Sequence, residues 1–498
     1  MVQIRDSLVI FALLLAHIFI DTLADIVLPQ RHEDVYLLLQ YWLPTWNFEP
    51  LKHPQTDPIS MMLIVTAFGL FILYALIDML QHDTFFGKCS FTTAQKDCQL
   101  RKADTYKSAW QYKIKMILLY GIIILLIFGK ALLLINLRQI RGPASYTHDG
   151  GVIQTEVTIT YFLQGLNPYS ENYVETPMAE WGLNEYRTAL YHYPYLPWTF
   201  VFSSPFYLLS QIILGWYDQR FVYLILFALT LILAQSMVKS LAGKLVTVAL
   251  LGLNPILAED VIFGQNDSFV LFWIVLGVWL ISRNADSEAG LKPITTNMAS
   301  IAIGLACASK PTAWFIVPFW LLYLLRDKLN MRNKLNLTGF ENLSGLKWWL
   351  LLKPILKRAW TLPVIALLIL LPWFLWDPTA MYDDVWRWSS GQGETGYQIW
   401  GWGASNYILA FNIIANRFEY WHFIIPQAIF GLPLLLFLLW RQIYDNTLGT
   451  VLYSYVIFLL VFFYLSRFMQ PNYLGYLLAC LTLAYFLPKP QPATTHLD

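Results

Sequence analysis

Charge is what this chain has least of. Only 13 % of its 498 residues are Asp, Glu, Lys or Arg, against about one quarter in soluble domains. Apolar runs recur from end to end, so no large water-soluble domain fits between them. Positive and negative side chains nearly cancel at a formal net charge of +1, which leaves no electrostatic footprint for a nucleic acid. Cysteine is scarce too: Cys89, Cys98, Cys307 and Cys480 make neither a disulfide framework nor a metal-ligand spacing. A P-loop, a G-x-G-x-x-G after a strand, an H-E-x-x-H and a G-x-S-x-G are all missing. Nucleotide hydrolysis, metalloprotease and serine hydrolase chemistry therefore lack support.

What is present is apolar length. Hydrophobic residues make up 57 % of the chain and mean hydropathy is +0.49. Runs long enough to cross a bilayer, roughly 17 to 25 residues each, recur from end to end. Candidate crossings are 7–28, 59–80, 116–137, 196–216, 220–238, 244–260, 264–282, 295–325 (broken at Lys310-Pro311), 359–376, 421–440, 447–465 and 470–487. The expected fold is all-α: a polytopic transmembrane bundle of about 12 helices, with interfacial helices in an outer loop. The first run is interrupted by His17, Asp21 and Asp25 and lacks a small-residue cleavage site. It reads as a retained helix and not as a signal peptide.

The distribution of charge orients the bundle. Residues 81–115 carry Lys88, Lys96, Arg101, Lys102, Lys107, Lys113 and Lys115, and 326–358 carry eight more Lys or Arg, so both read as cytoplasmic. The stretch 138–197 has only Arg138, Arg141 and Arg187, which suits the opposite side. If 295–325 is one bent crossing, 377–420 joins 138–197 outside; the side of 258–268 stays open. Three regions result: 1–115 with two N-terminal crossings and a basic loop, 116–376 with the core and the outer loop 138–197, and 377–498 with an aromatic outer loop and the last crossings.

The outer loop gathers the chemistry. In SYTHDGGVIQTEVTITYF (145–162), His148, Asp149 and Glu156 lie close together, and Asp149 precedes Gly150-Gly151, a backbone able to turn sharply. A carboxylate partly desolvated there has its pKa pushed upward, which suits a general base near neutral pH. The plain alternative is an Asx-type cap on the following helix. Residues 152–164 alternate with the period of a strand. An open strand edge at a membrane surface leaves backbone groups unpaired, so an interfacial helix is expected. The Trp- and Tyr-rich stretches 33–47 and 382–402 are expected to be interfacial as well.

Other polar residues interrupt apolar surroundings. YHYPYLPW (191–198) is mostly an aromatic belt, with His192 as a partner for a phosphate or hydroxyl. NPILAEDVIFGQNDSF (254–269) places Glu259, Asp260, Gln265, Asn266 and Asp267 between two crossings, costly unless they face a cavity and unremarked if they form a short solvated loop. Lys310 either snorkels or meets an anion. Arg467, in YLSRFMQPNYL, suits a phosphate or a headgroup anchor. Asp383, Asp384 and Arg387 read as solvated loop charge. Sugar hydrolases need paired carboxylates and one well-placed acid stands in the outer loop; a transferase with a good leaving group needs only a base.

The order THDGG, FLQGLNPY, YHYPYLPW, NPI…GQNDS, SKPTAW and SRFMQPNYL resembles the GT-C superfamily of membrane glycosyltransferases, closest to its polytopic mannosyltransferases. The likeness spans 116–325 and 466–476. It implies inverting sugar transfer outside the cytoplasm, from a polyprenyl-phosphate-linked donor to a lipid, glycan or protein acceptor. Asp149 matches the catalytic aspartate, Lys310 and Arg467 the positions facing the lipid phosphate, and Gln265 and Asp267 the later polar element; His148, Glu156 and His192 are supporting donor-binding candidates. The sequence departs from the pattern in two extra crossings before the core and in the lack of a D-x-D. No cofactor is called for, and a divalent metal is compatible but not indicated. The plasma membrane of a prokaryote is preferred to the endoplasmic reticulum. The rival readings are a lipid-linked-sugar transporter and a non-catalytic subunit of a cell-envelope complex.

Overall fold

A computed structural model describes residues 6–27, 31–45, 57–82, 109–180, 187–283, 291–326 and 349–487. Most of both basic loops, with Cys89 and Cys98, lies outside the described residues. Every apolar run named above is helical, as expected where only a helix satisfies its own backbone groups away from water. Strand is confined, among the described residues, to a two-residue parallel pairing of Trp400–Gly401 with Phe468–Met469. Residues 155–163, strand-like by period, form the helix Thr155–Leu163.

Four described helices are long and apolar enough to cross a bilayer: Pro58–Met79, Trp110–Arg141, Arg220–Met237 and Ile424–Tyr444. Two bent pairs raise this to six, Leu241–Gly252 with Pro255–Phe263 (50°) and Lys353–Ala359 with Thr361–Trp376 (56°), and six shorter apolar helices accompany them. The first bend has a local cause. Pro255 cannot donate to the preceding turn, and the Asn254 side chain accepts from the amides of Ile256 and Leu257 at 3.2 Å, capping a new helix. Only 11 % of the Ile424–Tyr444 window is buried, against 56 % for Arg220–Met237. A wide bare apolar face of this kind is tolerated against lipid, so the chain is an integral membrane protein with Arg220–Met237 inside the bundle.

Of the N-terminal helices α1 (Asp6–Val27), α2 (Arg31–Trp42) and α3 (Pro58–His82), α2 and α3 pack beside the long helix that ends at Arg141, and α1 packs on α3 and on Leu241–Gly252. Lys115, expected in a cytoplasmic loop, is buried instead, with Asp6 and Asp78 each at 2.8 Å. This ammonium between two carboxylates docks α1 and α3 on the core. At 1.5 Å per residue the 32-residue helix Trp110–Arg141 is about 48 Å long, more than a hydrocarbon core of roughly 30 Å. Its last turn carries Arg138 and Arg141.

Two expected crossings are revised by hydrogen bonds between their ends. The helix Trp198–Leu214 starts where the Trp198 amide donates to Ala308 O at 3.0 Å. Just beyond its end, Gln219 N–H donates to Glu156 at 2.8 Å and its side chain returns to Ser203 at 2.9 Å. Residues 196–219 therefore stay at one end of the bundle. The run 295–325 is two helical pieces, Pro293–Cys307 and Pro311–Tyr323, that meet at 308–310, where Ser309 O accepts from Leu196 N at 3.1 Å. Residues 263–267 join the same end through His148 N to Phe263 O at 2.8 Å, and 377–397 through His192 and Asp384 at 2.8 Å.

Candidate active site

These loops enclose a cavity of about 420 Å³. His148, Asp149, Gln265, Lys310 and Arg467 line it; Glu156, His192 and Asp267 do not.

The Asp149 wall begins where Gly142 (φ 128) ends the long helix. The chain then enters a π-helical turn, Asp149–Gln154, with His148 and not Asp149 in the capping position. A π turn leaves backbone groups to find partners outside the helix: Gly150 O accepts from Thr155 Oγ1 at 2.9 Å and Gly151 O from Tyr223 at 2.6 Å. The glycine pair answers to packing. A Cβ on Gly151 would lie 2.0 Å from Gly264 O, so only glycine lets the Asp149 turn close against the 264–265 loop.

Burial alone would raise the Asp149 pKa. The His148 imidazole, with Nδ1 2.8 Å from Oδ1, and the Gly150 amide outweigh it and hold the carboxyl below its ordinary value. The expected upward shift is thus reversed, and Asp149 is an ionised acceptor throughout the neutral range.

Glu156, a supporting donor-binding candidate, stands off the cavity. Its carboxylate is bridged by Arg138 at 2.9 and 2.7 Å, Arg138 also meets Asp218 at 2.8 Å, and Asp218 receives Arg220 at 2.8 and 2.7 Å. Two guanidiniums and two carboxylates balance one another beneath the loop. Burial works against the Asp218 charge, but Arg220 and Arg138 hold its carboxyl far below the usual range.

His192 stands behind the cavity wall. Its ring nitrogens face Asp384 at 2.8 Å and Thr395 at 2.7 Å, and Tyr193 N–H donates to the other Asp384 oxygen at 2.8 Å. Asp384 is therefore buried and partnered, not solvated loop charge; burial lifts its pKa to about 6 even though His192 and the Tyr193 amide oppose the rise. The imidazole packs 5.8 Å from Trp388, which does face the cavity. His192, Asp383 and Asp384 bring three ligand-type atoms within 4.8 Å. Asp383 also pairs with Arg387 at 2.8 Å, and all three residues stand off the cavity.

Lys310 occupies the extended break between its two helices. Its ammonium is taken by Asp267 at 2.6 Å and Asn266 at 3.1 Å, so the anion expected for it is a protein carboxylate. Asp267 lies one step behind the wall, held also by Asn472. Arg467 differs. It is 2 % exposed and donates to the carbonyls of Tyr397, Glu419 (3.0 Å) and Arg417 (3.0 Å), with Gly391 bare beside it because a Cβ there would fall 2.3 Å from the guanidinium. Among the described residues none of its partners is a carboxylate. Burial lowers its pKa to about 10.

Asn266 of the 254–269 segment also lines the cavity, as do Tyr195, Gln470, Asn472 and Trp388, four residues that the sequence alone does not single out. The polar cluster beside Arg467 in SRFMQPNYL signals two of them; Tyr195 and Trp388 are lost among many aromatic residues.

The loops of this all-helical membrane bundle bring an ionised carboxylate and a guanidinium held by backbone carbonyls to one cavity. Residues 191–331 match the family model of glycosyltransferase family 87, a GT-C-like family, and the chain is a membrane glycosyltransferase, acting on a sugar donor and an acceptor. The matched stretch holds His192, Gln265, Asp267 and Lys310; Asp149 and Arg467 lie outside it. No curated protein and no solved structure matches the chain.

Proposed function

We propose that the enzyme transfers a sugar from a polyprenyl-phosphate-linked donor, with inversion, and that Asp149 is the general base. The observation that carries this reading is the presence, in one cavity, of an ionised Asp149 and of an Arg467 whose charge has no carboxylate partner among the described residues. In the reaction Asp149 takes the proton of the acceptor hydroxyl as its oxygen attacks the anomeric carbon, and the departing lipid phosphate gathers negative charge beside Arg467. Trp421, Phe423, Ile424 and Phe462 belong to the same lining and supply an apolar surface suited to an isoprenoid chain. Lys310, neutralised by Asp267, adds a polar wall and little net charge.

Twelve crossings remain the preferred topology: removing 196–216 and dividing 295–325 offset each other. With the basic loops inside, every loop around the cavity then falls on the extracytoplasmic face. Mannose is the preferred sugar, and the acceptor is a lipid, glycan or protein of the cell envelope. A structure with farnesyl phosphate bound tests the reading. The phosphate is expected at Arg467 within the Asp149 cavity; a phosphate bound elsewhere refutes it.

A further inference from the structure

α2 adds no residue to the cavity lining, yet its buried Asp34 reaches the loop that carries Asp149. One carboxylate oxygen accepts from Arg141 Nε at 2.5 Å and the other from the Tyr146 hydroxyl. Tyr146 has φ 55, and among the described residues only Asn412 shares a positive φ without being glycine. That left-handed region is disfavoured for a tyrosine by roughly tenfold in population, and glycine enters it freely. The conformation is held from two sides: Asp34 grips the hydroxyl, and Arg220 donates to Tyr146 O at 2.8 Å. Two residues later the His148 amide docks on Phe263, and Asp149 follows. α2 is itself anchored, since Arg31 pairs with Asp57 at 3.0 Å and Asp57 caps α3 by accepting from Ser60 N at 2.8 Å.

We propose that Asp34 is a positioning residue: from a helix that precedes the catalytic core it holds Tyr146 in its left-handed turn and so sets where Asp149 stands. A carboxylate that merely docked α2 would be served by Arg141. Asp34 gives its second oxygen to the one side chain whose backbone needs restraint three residues before the base. The proposal rests on Asp149 being the base.

The test uses the full chain in lipid nanodiscs, with whichever of mannosyl, glucosyl, galactosyl or arabinosyl farnesyl phosphate the wild type consumes. Hydrogen exchange at 145–151 is read without ligand. Asp34→Asn should speed that exchange about tenfold and lower kcat about 10- to 100-fold, the cost of misplacing a catalytic group by about 1 Å, with donor KM within about twofold. Adding Tyr146→Gly, which takes the turn unaided, should restore both to within about threefold of wild type. Unchanged exchange in Asp34→Asn, or no rescue by Tyr146→Gly, overturns the proposal. Full turnover in Asp149→Asn overturns the base assignment instead, and exchange then judges the restraint of the loop by itself.

Discussion

Replacing Arg467 tests the phosphate site most quantitatively. A guanidinium has five N–H donors; three groups here, Nε and both terminal nitrogens, each reach one carbonyl, which leaves two N–H for the cavity. Charge-assisted hydrogen bonds contribute about 1.5 to 3 kcal/mol each. Two at the lower bound give about 3 kcal/mol, roughly a hundredfold in Kd. Arg467→Gln should weaken farnesyl phosphate by about that factor, read by quenching of Trp314, Trp388 and Trp421, which line the cavity. Farnesol, with the tail and no phosphate, should bind the variant as it binds the wild type. Arg467→Lys keeps the charge and loses the fork, so a loss of about tenfold is expected. Because the protonated guanidinium is the binding form and its pKa is lowered to about 10, affinity should decline as pH rises through about 10, earlier than for an ordinary arginine. Farnesyl phosphate binding to Arg467→Gln at wild-type strength, or an equal loss for farnesol, would refute the reasoning.

Other consequences follow from the same geometry. Gly151→Ala drives a methyl toward Gly264 O and should destabilise the protein by about 1 to 3 kcal/mol, read as a lowered Tm together with lost turnover; a wild-type Tm would show that the two loops can part without cost. Lys310→Met strands the buried Asp267 charge and should cost about 3 to 5 kcal/mol, whereas the double variant Lys310→Met/Asp267→Asn should recover much of that; thermal unfolding compares them, and equal Tm values would contradict the pairing. Asp384, with a pKa of about 6 against an ordinary 3.8, favours its protonated form in the fold. That contribution, roughly 3 kcal/mol, is complete below pH about 4 and is lost as pH rises through about 6. Asp384→Asn should flatten the Tm profile across that window, and a profile that still falls as in the wild type would exclude Asp384 as its source.

The helices were legible because apolar length is a strong signal and water-free surroundings leave few alternatives. Asp149 was legible for its glycine pair and its place after a crossing. What the sequence hid was pairing at a distance. Glu156 and Asp149 look alike in the loop, but Arg138 lies a helical turn before Gly142 and Asp218 comes 62 residues after Glu156, so the ion network appears only in three dimensions. Lys310 and Asp267 are likewise 43 apart. The same remoteness hid Asp384 behind His192 and Asp34 behind Tyr146. The shift at Asp149 came out opposite to expectation because burial was visible from its setting, and the competing contact with its own neighbour His148 depends on a rotamer.

The central claim is tested most directly by sugar transfer in Asp149→Asn, measured beside wild type with the same farnesyl-phosphate-linked donor. Loss of a general base should lower kcat by about 10²- to 10⁴-fold while the protein inserts normally and binds farnesyl phosphate with unchanged affinity. Transfer within about threefold of wild type would contradict the account.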